Sequence, residues 1–498
     1  MSLSMHLRPN WTLACASGLA LVAACGTAPD DASDVGAALG GSGATGSATQ
    51  GANGGSGSGA APASGGASAA SGGASLGSSS GGGSAVNGGT TAAGGEGASG
   101  GQLGAGGTRD GTCGGEPLLE LLGPAFSCGG DGHVFEEAGP PNNRVNYIIV
   151  GDGYDSTQIE TLFIEHVENM LYDEQAGFFS AIGEPYSRYR NFINICGVKL
   201  ASADGCIDNP DQGRACDTLF DGRCEPPCDT AGTRLGTVNR NKVNQALDEA
   251  LPSGVDVDWV AATINAEAEG WWNSGGPIMV WNGGYESRLQ SASVALHEGG
   301  HTYHQLADEY GGTSQDCGEF SELNSTADPA GEKWAHWLAY NDERQDSRPL
   351  PSNLNKRPYG TFVQGAYEGS RYCDHGQYRP SEDSEMNLLP QPFNMPSIEK
   401  IILDIYSIAE PIDAHTDNSE PLIAPKALQV RVIDTEVLKL EWTVDGQLVS
   451  GQTSECFVVP SLTAGAHEIS VRVYDDTPWV RKNQELLEQT VTWQVTAP

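Results

Sequence analysis

The sequence predicts an α/β (α+β) region followed by a β-sandwich, both downstream of a long Gly/Ser-rich segment that has no core. Three observations carry this expectation. From Arg144 onward, apolar runs of strand type alternate with stretches of helical spacing. After Pro421 to Pro425 the apolar positions switch to period two. Ahead of both, glycine dominates: of 67 glycines in 498 residues, 30 fall between Gly26 and Gly111, among almost no Leu, Ile, Phe, Tyr or Trp. Such a stretch buries too little apolar surface to offset its ordering entropy, so it is expected to be disordered.

At the N-terminus, His6 and Arg8 precede an apolar run from Trp11 to Ala24, too short to span a bilayer but of secretory h-region length. It ends Val22-Ala23-Ala24-Cys25, which resembles the lipobox of bacterial lipoproteins. Residues 1–25 are therefore expected to be a lipoprotein signal peptide, with Cys25 the lipidated residue. Gly26 offers no inner-membrane retention signal, which points to the outer membrane or cell surface. Residues 26–112 then read as a Gly/Ser/Ala-rich tether with an average span of about 50 Å. Any membrane contact is expected through this anchor alone.

Charge narrows the partners. With 26 Lys+Arg against 64 Asp+Glu the formal net charge is −38, and no basic run exists. A nucleic-acid binder is excluded, because a phosphate backbone needs a basic footprint. Nothing in the sequence calls for a second chain, and a monomer is expected.

The elements of the α/β region follow in order. Val145 to Val150 (VNYIIV) is a continuous apolar strand stopped by Gly151-Asp152-Gly153, and Thr157 to Leu171 has helical spacing. Phe192 to Leu200 reads as a second strand, Asn241 to Leu251 as a helix, and Trp259 to Asn265 and Pro277 to Trp281 as strands. The last could offer its edge to an extended peptide by β-addition. Trp271 and Trp272 read as core residues more readily than as a pocket lining. Apart from Cys15 and Cys25, ten cysteines remain, at 113, 128, 196, 206, 216, 224, 228, 317, 373 and 456. In an exported chain they suggest up to five disulfides rather than a zinc finger. Full pairing requires one bridge to tie Cys456 back to the preceding region.

The informative segment is Ser293 to Gly312, SVALHEGGHTYHQLADEYGG. It contains His297-Glu298-Gly299-Gly300-His301, and on a helix His297 and His301 lie one turn apart on one face, as two imidazole ligands of a tetrahedral zinc require. Glu298 lies beside them, placed to act as general base on a zinc-bound water. Ser291 or Ser293 is the candidate N-cap, and Gly311-Gly312 ends the segment. A catalytic site needs a third protein ligand, and Asp308 is the candidate, with Glu309 as fallback. A straight helix would leave Asp308 about 10 Å from His301 along its axis, so the chain has to break near His304 and fold back. His304 reads as a core or supporting histidine.

Four segments together, NYIIVGDGYDSTQ, HEGGHTYHQLADEYGG, YRPSEDSEM and WTVDGQLV, resemble the IgA-specific metalloendopeptidases (IgA peptidases), a metzincin-like family of zinc peptidases. The resemblance spans roughly residues 143 to 498. It implies zinc on His297, His301 and Asp308, Glu298 as base, and protein or peptide substrates, and the catalytic domain is expected over 113–415. It also implies a methionine turn beneath the metal, with Met386 the best match and Met395 the second. Ser384 stands where the family often has a cysteine, so Cys317 or Cys373 is expected to be bridged differently. Tyr310 and Tyr378 are candidate donors to the developing oxyanion.

Over residues 421–498, Leu428-Val430-Val432, Leu438-Leu440-Trp442, Ile469-Val471-Val473 and Val491-Trp493-Val495 alternate with polar residues, and Asp445-Gly446 signals a hairpin. Short strands around a central Trp suggest an immunoglobulin-like sandwich, structural or docking in role. The leading reading is a tethered zinc endopeptidase. Two other readings stand beside it: a lipid-anchored adhesin with a structural or vestigial metal site, which leaves Glu298 without a use, and a hydrolase of non-peptide amides.

Overall fold

The structure is a computed structural model that describes residues 111–498 apart from 122, 131, 229–234, 267–271, 286, 313, 315–316 and 342–362. The expected signal peptide, Cys25, nearly all of the tether and Trp271 lie outside the described residues. No helix among the described residues is long and apolar enough to cross a membrane.

A five-stranded sheet organises the first part. Its strands are β1 (Gly132–Glu136), β2 (Val145–Asp152), β3 (Ile193–Val198), β4 (Trp259–Ile264) and β5 (Met279–Asn282), in spatial order β1-β3-β2-β4-β5. Strands β2 to β5 are mutually parallel, and β1 runs antiparallel to β3. As the centre of the parallel set β2 is covered on both faces, which explains its unbroken apolar run: all eight residues are buried. Tyr147 and Ile149 point into one core with Phe163, Val167 and Leu296; Ile148 and Val150 point into the other with Val243, Leu247 and Trp272. Helices α1 (Leu162–Tyr172) and α3 (Arg288–His304) thus cover one face and α2 (Arg240–Ala250) the other. Trp272 is a core residue, its indole N–H donating to the Cys228 carbonyl at 3.2 Å.

Two local expectations need correction. Helix α1 begins at Leu162 rather than Thr157, because Asp155 gathers the N–H groups of Thr157 and Gln158 into a turn, and Phe163 N–H then reaches back five residues to Gln158. The outer edge of β5 is also not free. Ser274 exchanges two backbone hydrogen bonds with Val280 (3.0 and 2.9 Å), and the Asn282 carbonyl accepts from Ser291 Oγ. Strand β1 and helix α4 (Met395–Tyr406) lie outside the expectations above.

A hairpin of β6 (Tyr367–Ser370) and β7 (Cys373–Arg379) follows α3 in the chain and precedes α4. The C-terminal residues form a three-stranded sheet, β8 (Ile412–His415), β10 (Ala427–Val432) and β13 (Cys456–Val458). A five-stranded sheet accompanies it: β9 (Leu422–Ile423), β11 (Lys439–Val444), β12 (Gln447–Leu448), β14 (Gly465–Tyr474) and β15 (Glu488–Ala497). Asp445 and Gly446, both at positive φ, turn β11 into β12. Trp442 stacks on Phe457 at 4.7 Å and on Trp493 at 5.7 Å, so aromatic rings from both sheets meet in one core. Strand β8 lies within the stretch expected as catalytic, yet it pairs with β10.

Among the described residues five disulfides are present: Cys113–Cys456, Cys128–Cys196, Cys206–Cys216, Cys224–Cys228 and Cys317–Cys373. The first ties the C-terminal sheets to the start of the described chain. Two buried carboxylates join the same parts. Asp475 accepts from Tyr189, Tyr406 and Arg188, and Glu399 accepts from Trp337, His336 and the N–H groups of Arg481 and Lys482.

Candidate metal centre and its surroundings

Helix α3 starts one turn earlier than its serines suggest. Ser287 is the N-cap, accepting from Gln290 N–H, while Ser291 and Ser293 are buried inside the helix. The helix ends at His304, well short of Gly311. Gln305 takes a left-handed conformation (φ 55°), its N–H returns to the His301 carbonyl and that of Leu306 to Gly300. This is the break that the third ligand demands, made by a glutamine rather than a glycine.

The fold-back brings three ligand atoms together. His297 Nε2 lies 3.1 Å from His301 Nε2 and 3.1 Å from Asp308 Oδ1, and His301 Nε2 lies 3.3 Å from that oxygen. Donors held at ~2.0–2.2 Å by a tetrahedral ion stand about 3.3–3.6 Å apart, and the observed 3.1–3.3 Å comes within a few tenths of an ångström of that. The tautomers fit as well. His297 Nδ1 faces the Glu385 carbonyl at 2.9 Å and His301 Nδ1 the Leu306 carbonyl at 2.6 Å. Each ring therefore donates from Nδ1 and leaves the Nε2 lone pair for a ligand. This is the single group of three or more metal-ligating side chains among the described residues. Burial alone would raise the Asp308 pKa, but the two imidazoles outweigh it and hold that carboxyl well below its ordinary range.

Glu309, the fallback ligand, points elsewhere. Its carboxylate is fully buried and accepts from Asn324 Nδ2 (2.8 Å), Ser384 Oγ (2.5 Å) and Asn394 Nδ2 (2.8 and 3.0 Å). Burial pushes its pKa up against those donors. It pins the fold-back to the turn that carries Met386, whose carbonyl also accepts Glu309 N–H at 2.6 Å. Met386 is the methionine under the site: a Cβ on Gly300 would stand 2.7 Å from its Sδ, so Gly300 is what lets this turn lie against the helix. Met395 instead opens α4.

Of the two candidate tyrosines, Tyr310 adjoins the cluster, where burial and the Asp308 charge raise its pKa, and it is hydrogen-bonded to Tyr372, a residue absent from the expectations. Tyr372 Oη donates to Asp308 Oδ2 at 2.5 Å and accepts from Tyr310 Oη at 3.0 Å. Tyr378 pairs through its backbone with Glu368 and Thr326, and among the described residues no hydrogen bond joins its side chain to the ligands. Tyr372 is set by the two-residue loop of the β6–β7 hairpin, where Arg371 (φ 49°) and Tyr372 (φ 62°) both adopt the positive φ of a type I′ turn. Neither is the Gly or Asn that tolerates this, so each costs about 1 kcal/mol or more. The turn is fastened by Arg371 N–H to the Asp308 carbonyl (2.9 Å) and Tyr372 N–H to that of Tyr310 (3.0 Å). Its φ values are strained where the chain must aim one hydroxyl at a metal ligand.

Glu298 is 5% exposed and takes a hydrogen bond from the Asn273 side-chain amide. Its charge acts on both His301 and Tyr372, which places the carboxylate at the cluster's edge. His304, on the same helix, spends both ring nitrogens internally, Nδ1 on Asp404 (2.8 Å) and Nε2 on Tyr186 (2.7 Å).

The model of the family described as IgA Peptidase M64 matches residues 134–357. That stretch contains α3, both histidines, Glu298 and Asp308 and ends before Tyr372. No curated protein matches the chain significantly. The match supports the resemblance to the IgA peptidases drawn from the sequence, over the stretch that carries the three converging side chains.

Proposed function

We propose that this protein is a member of the IgA peptidase family and an exported zinc-dependent endopeptidase that hydrolyses peptide bonds in protein or peptide substrates. The observation that carries the reading is the convergence of His297 Nε2, His301 Nε2 and Asp308 Oδ1 with both Nδ1 atoms committed to backbone carbonyls. Two histidines and one carboxylate suit zinc, which when bound would supply Lewis acidity, lowering the pKa of a water and polarising a carbonyl. The protein's own groups do the rest. Glu298 takes the proton of the attacking water on its carboxylate and passes it to the departing amine nitrogen. Tyr372 Oη, backed by Tyr310, donates to Asp308 at rest and on releasing that bond would be the donor nearest to negative charge developing on the carbonyl oxygen, a role expected above of Tyr310 or Tyr378. The C-terminal sheets form the sandwich, fixed to the catalytic region and serving its stability. A lipid on Cys25 and the tether would hold the enzyme at the outer membrane or cell surface.

The test is metal content by mass spectrometry together with cleavage of unfolded protein substrates, for the full-length wild type and Glu298→Ala. One zinc per chain in both proteins and cleavage by the wild type alone is the expected result. Zinc in both with no cleavage by either would favour a tethered binding protein, and folded protein without zinc would overturn the site. Cys25→Ser is expected to move the protein from the membrane fraction to the soluble one.

A further inference from the structure

We infer that Asn273 is a positioning residue that holds Glu298 in the orientation from which it acts as a base. The inference rests on the endopeptidase reading above. Among the described residues, the Asn273 amide is the sole hydrogen-bond partner of the Glu298 carboxylate, donating from Nδ2 to Oε1. A carboxylate has about four lone-pair directions. Fixing one oxygen by a single donor sets the rotamer and leaves the second oxygen to receive a proton. A base needs that combination, since proton transfer demands hydrogen-bond reach first and a suitable pKa second.

Asn273 is itself immobilised from both sides. Its carbonyl accepts Gly236 N–H at 3.2 Å, and Ser274 is bonded twice to Val280 in β5. The preceding Trp272 is buried in the core. Two residues on, Gly275 lies so close to α3 that a Cβ there would stand 2.4 Å from His301 Cβ, and Gly276 N–H donates to Thr302 Oγ1 at 3.2 Å. The short strip Asn273–Gly276 is therefore held at once to the sheet edge and to the helix that carries the histidines, with no slack for the amide to drift. Its other end argues that stability is not its purpose. Asn273 Oδ1 is buried and has no hydrogen-bond partner among the described residues, a penalty that an asparagine kept for stability would avoid. The amide is turned so that its donor meets Glu298 and its acceptor goes unmet, because the reverse would set two acceptors face to face.

The experiment compares wild type, Asn273→Ala and Asn273→Asp as full-length proteins. It reads steady-state kinetics on an unfolded protein substrate, zinc per chain and Tm. Asn273→Ala is expected to lower kcat about 10–100-fold with KM within about threefold, zinc unchanged and Tm unchanged or higher. Asn273→Asp keeps the shape but replaces the donor by an acceptor, and is expected to lower kcat further than Ala. A kcat that does not fall, or one that falls equally in both variants alongside lost zinc or a lower Tm, would overturn the inference and leave Asn273 a structural residue. A wild type that holds zinc but cleaves nothing would overturn the endopeptidase reading, and this inference with it, before either variant is compared.

Discussion

Helix α3 and the two turns packed against it contribute to the same site by opposite means. The helix places His297 and His301 by local geometry: four residues along one helix face bring two Nε2 atoms to 3.1 Å. The turns, Arg371–Tyr372 and Ser384–Met386, lie roughly 60 to 90 residues downstream and supply no first ligand atom. They supply the Glu385 carbonyl that fixes the His297 tautomer, the Tyr372 hydroxyl on Asp308, and Ser384 on Glu309. The donors that would touch a metal are thus encoded over twelve residues, whereas the groups that orient them, the Leu306 carbonyl on His301 apart, come from distant segments brought up by folding.

The sharpest way to test that division is at the two adjacent acids. Asp308→Ala is expected to abolish stoichiometric zinc binding and lower cleavage by roughly 10³-fold or more, because several kcal/mol of charge stabilisation depend on the ion. Glu309→Gln is expected to keep zinc. Its new amide would face the Asn394 and Asn324 donors, so its effect is a stability loss of about 1–3 kcal/mol, read by denaturant unfolding. Loss of zinc in Glu309→Gln at full stability would erase the distinction between ligand and brace.

The same division explains what could be read from the chain before folding. The histidines, Glu298 and Asp308 were legible because motif spacing and helix geometry constrain them directly, and the family match covers them. The central strand β2 was legible because a strand buried on both faces must be apolar throughout. Tyr372 was not, since a two-residue hairpin loop of Arg and Tyr carries none of the Asn-Gly signal that marks positive φ. Gln305 hid the end of α3 for the same reason. Strand β1 is short and half-exposed, with no clean alternation. Helix α4 was legible in principle, since Asn394 caps it and Ile398, Ile401, Ile402 and Ile405 are spaced for one face.

The downstream turns can be probed one at a time. Tyr372→Phe removes the hydroxyl that orients Asp308 and is proposed to serve the oxyanion, and is expected to cost about 10–100-fold in zinc affinity or cleavage, with folding intact. Titration with a zinc-buffered chelator measures the first and kcat/KM the second. An unchanged value in both would mean that the strained turn serves the hairpin rather than the site. Gly300→Ala tests the turn at Met386. The new Cβ would gain about 1 kcal/mol of helix propensity but meet Met386 Sδ at 2.7 Å inside a packed core, where overpacking costs about 1–3 kcal/mol. A net loss of about 1 kcal/mol is expected, together with weaker zinc binding as the Glu385 carbonyl moves off His297.

The smallest effect belongs to the third histidine of α3, which separates a ligand from a brace within one helix. His304 is fully buried between Tyr186 and Asp404, and burial lowers its pKa below the ordinary value of 6.5, outweighing the pull of Asp404. A folded-state pKa below the unfolded one means that the unfolded chain takes up the proton first as pH falls. The stability His304 contributes is therefore present above pH 6.5 and is lost progressively below it. Denaturant unfolding between pH 7.5 and pH 5 is expected to show a declining stability for the wild type and a shallower decline for His304→Gln, whose zinc content at neutral pH matches the wild type. An equal slope in the two proteins would mean that His304 does not titrate across folding. Lost zinc in the variant would move it from the brace into the ligand set, and the division between helix and turns would then have to be redrawn around three histidines instead of two.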